Sequence, residues 1–217
     1  MINYNKSKSI LKKSIIKLGE EFIDTNKCLN RVTSKNIYAS SCYPSGNNAA
    51  FDGYAIKSSE TYKLNKKTFK KFEIIGSIAA GNKPLKKKIK KFQTVEIMTG
   101  ALIPSYFNTI IPIEQINFYP NKKNAKYILI NKKISKFEHV RFKGSDYKKG
   151  DLLVSQGTIL QSNHILALKT LGIKKIKVKK KPNILFFSTG NEITNKDKIS
   201  DWEVRNSNCH YINSLNK

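Results

Sequence analysis

Residues 71–81 read KFEIIGSIAAG, and residues 94–104 read TVEIMTGALIP. Each is a short run rich in Ile, Val or Phe that closes on glycine or proline. β-Branched and aromatic residues fit an extended, half-buried backbone, and Gly and Pro mark the turns that interrupt it. The same texture continues in NTIIPIEQINF (108–118) and KYILINKKI (126–134). Residues 41–146 are therefore expected to form a β-rich body. KKTFKK (66–71), KPLKKKIKK (83–91) and YPNKKNAK (119–126) read as solvated connections or strand edges.

Outward from this body the pattern changes on both sides. SKSILKKSIIKLGEE (7–21) brings Ile10, Leu11, Ile15 and Leu18 near one helical face, with Ser7 or Ser9 as cap. CLNRVTSKNIYASSCYP (28–44) reads as short extended pieces, with Asn30 in a turn because asparagine tolerates a left-handed backbone. Beyond the body, GDLLVSQGTIL (150–160) reads as a strand pair about a tight turn. SNHILALKTLG (162–172) reads as a short helix capped by Ser162 or Asn163 and ended by Gly172. IKKIKVKKKP (173–182) is a half-buried strand. The continuous apolar run Ile184–Phe187 then enters Ser188-Thr189-Gly190, a polar loop, and a helix capped by Asn206 or Ser207. That is the opening βα unit of a parallel sheet.

Composition sets the outer limits. The chain has 217 residues, enough for one large domain or two small ones. No apolar run approaches a membrane span, and the N-terminus lacks a signal-type apolar core. A soluble, cytoplasmic protein with no membrane partner is expected. Cys28, Cys42 and Cys209 are far apart, as are His139, His164 and His210, so neither a zinc site nor a disulfide framework is expected. The formal charge is +26, but only Arg31, Arg141 and Arg205 among 41 basic residues are arginine. Bidentate reading of phosphate and guanine favours arginine. Diffuse lysine therefore argues against a specific nucleic-acid partner, while some non-specific attraction to polyanions follows from charge alone.

Several short motifs are weak singly. Asp52-Gly53 reads as a hairpin turn. IMTGA (97–101) ends a strand in amides and a hydroxyl that suit an anion, or merely a turn. Asp146 in RFKGSDYKKGD (141–151) reads as a solvated turn residue. FFSTGNE (186–192) has Ser, Thr and Gly at a strand's carboxyl end, where phosphate is often held, with Glu192 beyond it.

Their order is far more specific. NNAAFDGYAI (47–56), IIGSIAAGNKP (74–84), VEIMTGALIP (95–104), NTIIPIEQ (108–115), HVRFKGSDYKKGD (139–151), LALKTLGI (166–173) and ILFFSTGNEI (184–193) follow one another. Together they resemble the N-terminal half of the molybdopterin molybdenumtransferases, the bacterial MoeA family related to the C-terminal domain of gephyrin. The resemblance runs from about Ile10 to Leu215. It implies an α+β multidomain fold, with a β-rich domain inserted in a small linking domain and followed by the first βα unit of a truncated α/β molybdopterin-binding domain. The implied segments are 1–40 and 147–181 for the linking domain, 41–146 for the inserted domain and 182–217 for the incomplete α/β domain. It further implies insertion of molybdate into adenylylated molybdopterin, with release of AMP and help from a divalent metal such as Mg2+. An elongated homodimer is implied, with the active site in a cleft between the β-rich domain and the partner's α/β domain.

The resemblance also implies roles. Asp52 and Asp146 would be metal ligands, or acceptors for a metal-bound water. Thr99 and Gly100 would line the same face. Ser188, Thr189, Gly190 and Glu192 would hold the pterin or phosphate side, with Glu192 a further metal ligand. The chain departs from the family in three ways. Ala49, Ala50 and Phe51 stand where Ser-Ala-Met is usual, and Asn206 replaces an aspartate in Arg205-Asn206-Ser207-Asn208. The family's later motifs and C-terminal β domain do not occur in these residues. Activity is thus expected to be incomplete without a second half, which a separate chain could supply. Two other readings are a non-catalytic truncated remnant and a basic polyanion-binding protein.

Overall fold

The computed structural model describes residues 2–14, 16–65, 67–83 and 88–215. Two compact units emerge: Phe22–Val178, and the residues up to Glu21 together with those from Lys179 onward. In chain order the first strands are β1 (Glu20–Asp24), β2 (Ile37–Tyr38), β3 (Asn48–Ala49), β4 (Gly53–Ile56) and β5 (Lys70–Ile78). Next come β6 (Gln93–Ile97), β7 (Thr109–Pro112), β8 (Asn117–Tyr119), β9 (Tyr127–Ile130) and β10 (Val140–Arg141). The last are β11 (Leu152–Val154), β12 (Lys175–Lys179), β13 (Ile193–Thr194) and β14 (Val204–Arg205). The helices are α1 (Tyr4–Lys13), α2 (Ser162–Thr170) and α3 (Ser207–Ser214).

Within Phe22–Val178, six strands form one mixed sheet in the order β7-β4-β6-β5-β9-β8. Only the β5–β6 pairing is parallel; the other four are antiparallel. Successive side chains on a strand point to opposite faces, and here both faces are covered. Along β4, Tyr54 and Ile56 join Phe72, Ile111 and Ile128 in one apolar cluster. Ala55 joins Val95, Ile97 and Ile110 in another. This is why GYAI and TIIP are buried at every residue instead of alternating with polar positions. On β5 the register shifts between Ile74 and Ser77. An extra residue reverses which face the following side chains meet. Accordingly Phe72 and Ile74 belong to the first cluster and Ile78 to the second.

A third core gathers Cys28, Val154, Leu160, Leu168, Ile176 and Val178. It draws on sequence before and after the six-stranded sheet. Thr25 donates its amide to the Lys174 carbonyl at 2.9 Å. The Thr33 hydroxyl donates to the Ser155 carbonyl at 2.7 Å. Asn30 has φ 61°, the left-handed turn expected from its sequence. Gly157 has φ 80°, and an added Cβ there would meet open space. Gly157→Ala should therefore cost only backbone strain, about 1–2 kcal/mol, read as a lower urea midpoint with unchanged slope. An unshifted midpoint would show that the turn relaxes.

The β-rich expectation for 41–146 is met by β3 to β10, and IKKIKVKKKP contains β12 with its alternating burial. Part of KPLKKKIKK lies outside the described residues. Other expectations need correction. Helix α1 begins at Tyr4, because the Asn3 side chain accepts the Lys6 amide at 2.9 Å, and it ends before Ile16 and Leu18. Ile15, expected on its apolar face, lies outside the described residues. Helix α2 is capped by Gln161, whose amide donates to His164 Nδ1 at 3.0 Å, rather than by Ser162 or Asn163. GDLLVSQGTIL turns tightly, but its arms do not pair with each other. β11 pairs with β2, and Ile159 bridges Val32.

The largest correction concerns Ile184–Phe187, which is not a strand. Ile184 is 62% exposed and Leu185 82%. A central parallel strand needs hydrogen-bonding neighbours and cover on both faces, and no described strand pairs with these residues. Downstream, β13 and β14 make a two-residue parallel pair, and α3 starts after Asn206 as expected. Among the described residues no helix is long and apolar enough to cross a membrane.

Candidate functional site

Asp52 ends the loop between β3 and β4. Two donors from one residue meet its carboxylate: the Thr99 amide and the Thr99 hydroxyl both reach Oδ1 at 2.7 Å. The backbone aligns this contact. β4 and β6 are antiparallel neighbours, with Gly53 opposite Ile97, so Asp52 and Thr99, one and two residues beyond that pair, lie close together at the same end of the two strands. Three further bonds fix the Thr99 turn against β3. The Gly100 amide donates to the Ala49 carbonyl at 2.9 Å, and Ala49 donates to the Ala101 carbonyl at 3.0 Å. The Asn48 side-chain amide donates to the Gly100 carbonyl at 2.6 Å. The Thr99 amide, and secondarily its hydroxyl, hold the Asp52 carboxyl below its ordinary pKa.

The folded chain prefers Asp52 charged, so this contact's contribution is complete above the ordinary carboxylate pKa and fades as pH falls through the lowered value. Thr99→Val removes the hydroxyl but leaves the amide, the larger cause. The Asp52 titration midpoint, followed by NMR, should rise only part of the way toward that of an unperturbed aspartate. A midpoint that does not move would show the hydroxyl bond to be immaterial.

Asp146 has different partners. Arg141 Nη2 donates to Oδ2, and Ser145 Oγ donates to Oδ1 at 3.0 Å. The Asp146 amide donates to the Tyr43 carbonyl at 3.1 Å, and the Arg141 guanidinium lies 5.8 Å from the centre of the Tyr43 ring. β3 and β10 are antiparallel, with Arg141 opposite Asn48. The chain therefore leaves this ribbon in opposite directions toward the two aspartates. Phe51 packs edge-on against His139 at 4.8 Å.

The remaining expected site residues belong to the second unit. Ser188 Oγ donates to Asn206 Oδ1 at 2.8 Å and lies 3.0 Å from Cys209 Sγ. That hydroxyl holds the Cys209 thiol below its usual pKa. A Cβ on Gly190 would come within 2.5 Å of Glu192 Oε1. A cavity of about 600 Å³ opens beside Arg205, Asn206 and Cys209.

A family model described as "MoeA N-terminal region (domain I and II)" matches residues 2–172. The chain belongs to the MoeA family. It is 30% identical over 196 residues to a molybdopterin molybdenumtransferase of Staphylococcus epidermidis, covering 90% of this chain and 45% of that one. It is 30% identical over 190 residues to that of Staphylococcus aureus, covering 87% and 44%. The crystal structure of a molybdopterin biosynthesis MoeA protein from Pyrococcus horikoshii superposes with a TM-score of 0.83 at 30% identity, covering 97% of this chain and 54% of that one. A second structure from Pyrococcus horikoshii gives 0.78 at 26% identity, covering 91% and 51%. The chain thus spans about half the length of the relatives it matches.

Within this MoeA-family chain, Asp52, Thr99 and Gly100 come together, while Asp146 stands with Arg141. Among the described residues no group of three or more His, Cys, Asp and Glu side chains could hold a metal ion. A magnesium ion is still compatible with Asp52. Both Thr99 bonds end on Oδ1, which leaves Oδ2 without a partner among the described residues. Magnesium keeps waters and takes one or two carboxylates together with substrate phosphates. At Asp146 both oxygens already have donors. Reading the sequence missed Arg141 and Asn48. The scarcity of arginine was a usable signal for the first; nothing local marked the second.

Proposed function

We propose that this region serves the insertion of molybdate into adenylylated molybdopterin with release of AMP, as the N-terminal part of a molybdopterin molybdenumtransferase. The observation that carries the reading is the clamp of Thr99 on Asp52. It joins the Asp52-Gly53-Tyr54-Ala55 and Met98-Thr99-Gly100-Ala101 stretches at one exposed carboxylate. Asp52 would help to hold a Mg2+ ion. Bound magnesium would neutralise charge on the scissile pyrophosphate. Thr99 fixes the carboxylate's orientation, and the lowered pKa keeps it charged at neutral pH. Arg141 and Ser145 fix the orientation of the Asp146 carboxylate. Ser188, Thr189, Gly190 and Glu192 would contact the pterin or its phosphate.

Residues 41–146 form a domain inserted in the linking domain of 1–40 and 147–181, and residues 182–217 begin an α/β domain. The shared third core supports the insertion, since it unites Cys28 with Val154, Leu168 and Ile176. The working assembly is a cytoplasmic homodimer in which each β-rich domain faces the α/β domain of the other subunit. The test is AMP release from adenylylated molybdopterin, with molybdate and magnesium, by a full-length protein carrying this region. Release that requires both additions is expected. Tight binding of the adenylylated compound without any release would overturn the reading.

A further inference from the structure

A cavity of about 730 Å³ opens in the β-rich body, apart from Asp52. Its lining runs from Lys57, just past the end of β4, to Asn47 and Val140 beside the β3–β10 ribbon, and does not include Asp52, which just precedes β4. At 3.3 Å per residue Lys57 and Asp52 are about 16 Å apart along the strand. Its size falls within the range of small-molecule sites.

The lining has a definite chemistry. Lys57 and Lys136 bring two ammonium groups, and no Asp or Glu lines the cavity among the described residues. Tyr106 and Phe137 bring two aromatic rings, and Ile103 an apolar wall. Lys57 Nζ lies 4.9 Å from the Tyr106 ring centre and Lys136 Nζ 4.5 Å from that of Phe137. Such contacts are weak at exposed sites, so a true anion would draw both ammoniums away. The Tyr106 hydroxyl is committed elsewhere, donating to Glu60 Oε1 at 2.6 Å. Burial and the Glu60 carboxylate push its pKa up to about 12, so it stays neutral. Tyr106 thus presents a fixed ring rather than a competing charge. Phe137 remains 42% exposed although it packs edge-on against Phe142. Asn108 Oδ1 accepts the Ser58 amide at 2.9 Å, which leaves its NH2 group as a donor.

We propose that this cavity is a second binding site, taking an organic anion that carries a flat ring and has the size of a nucleoside monophosphate. The two lysines would take the anionic group, and the Phe137 and Tyr106 rings the flat one. The proposal does not depend on the transferase reading, because it concerns binding to this chain without metal or molybdate.

Calorimetric titration with AMP, adenosine and inorganic phosphate tests it at physiological ionic strength, where long-range attraction to the basic chain is screened. AMP should bind saturably at one site, and more tightly than either fragment. The K57A/K136A double variant should weaken AMP about tenfold or more, as expected for loss of charged hydrogen bonds. Phe137→Ala should weaken AMP and leave inorganic phosphate unchanged. The K122A/K123A variant removes equal charge from the connection between β8 and β9 and should leave AMP binding unchanged. Urea midpoints near the parent's will show that each variant is folded. Absence of saturable AMP binding would overturn the proposal. So would equal weakening by K122A/K123A, or phosphate binding as tight as AMP.

Discussion

Gly53→Ala is expected to destabilise the β-rich body strongly. An added Cβ would lie 2.0 Å from the Ile111 carbonyl oxygen, 2.8 Å from its carbon and 3.0 Å from Pro112 Cα. All three are backbone atoms of the neighbouring strand, so no side chain can swing aside. β4 is fixed on both edges, by β6 and by β7, so relief on one side disrupts pairing on the other. Overpacking of a core costs about 1–3 kcal/mol and occasionally more. With rigid backbone in the way and strands paired on both edges, the cost here should reach about 3 kcal/mol at least, against a domain stability of only about 5–15 kcal/mol. Urea unfolding of the purified chain measures it directly. A midpoint equal to the parent's would mean that β7 is free to move outward, contrary to its fully buried pattern.

Asp52→Asn should leave the fold intact and remove most of the proposed activity. Asp52 is exposed, and asparagine keeps an oxygen that can still accept both Thr99 bonds. Surface changes of this kind usually stay within about 0.5 kcal/mol. What is lost is the charge on Oδ2. If that oxygen meets a metal or a reacting water, AMP release by the full-length protein should fall on the order of 10²–10⁴-fold. Raising the magnesium concentration should recover part of it. Turnover close to the parent's would remove Asp52 from the chemistry and leave it a turn residue.

The two kinds of feature were not equally legible in the sequence. Strands β5 to β9 announced themselves because their β-branched runs and turn residues act locally. The cap on α1 did not, since apolar periodicity points to Ile10 and Leu11 rather than to Asn3. Gln161 is an uncommon cap, and its bond to His164 follows from backbone geometry. Ile184–Phe187 has the composition of a central strand, but a strand exists only with neighbours to bond to. At the site, the motifs marked Asp52 and Thr99 separately. That one residue's amide and hydroxyl close on one carboxylate oxygen depends on strand order, because the partners are 47 positions apart. The link from Arg141 to Asp146 is local, five positions apart, but the rarity of arginine marks Arg141 without saying which carboxylate it meets.

The third core has a consequence for how the chain is made. The Thr25 hydroxyl donates to the Lys174 carbonyl, 149 positions later. At about 5–20 residues per second, a ribosome needs roughly 7–30 s to synthesise the intervening stretch. Throughout that interval the Thr25 region lacks its partner. The six-stranded sheet needs nothing beyond Ile130 for its last pairing, so it can close while synthesis continues. The earliest-born segment is then among the last to be secured. Pulse-labelled nascent chains should lose protease sensitivity around residues 70–130 before they lose it around residues 20–38.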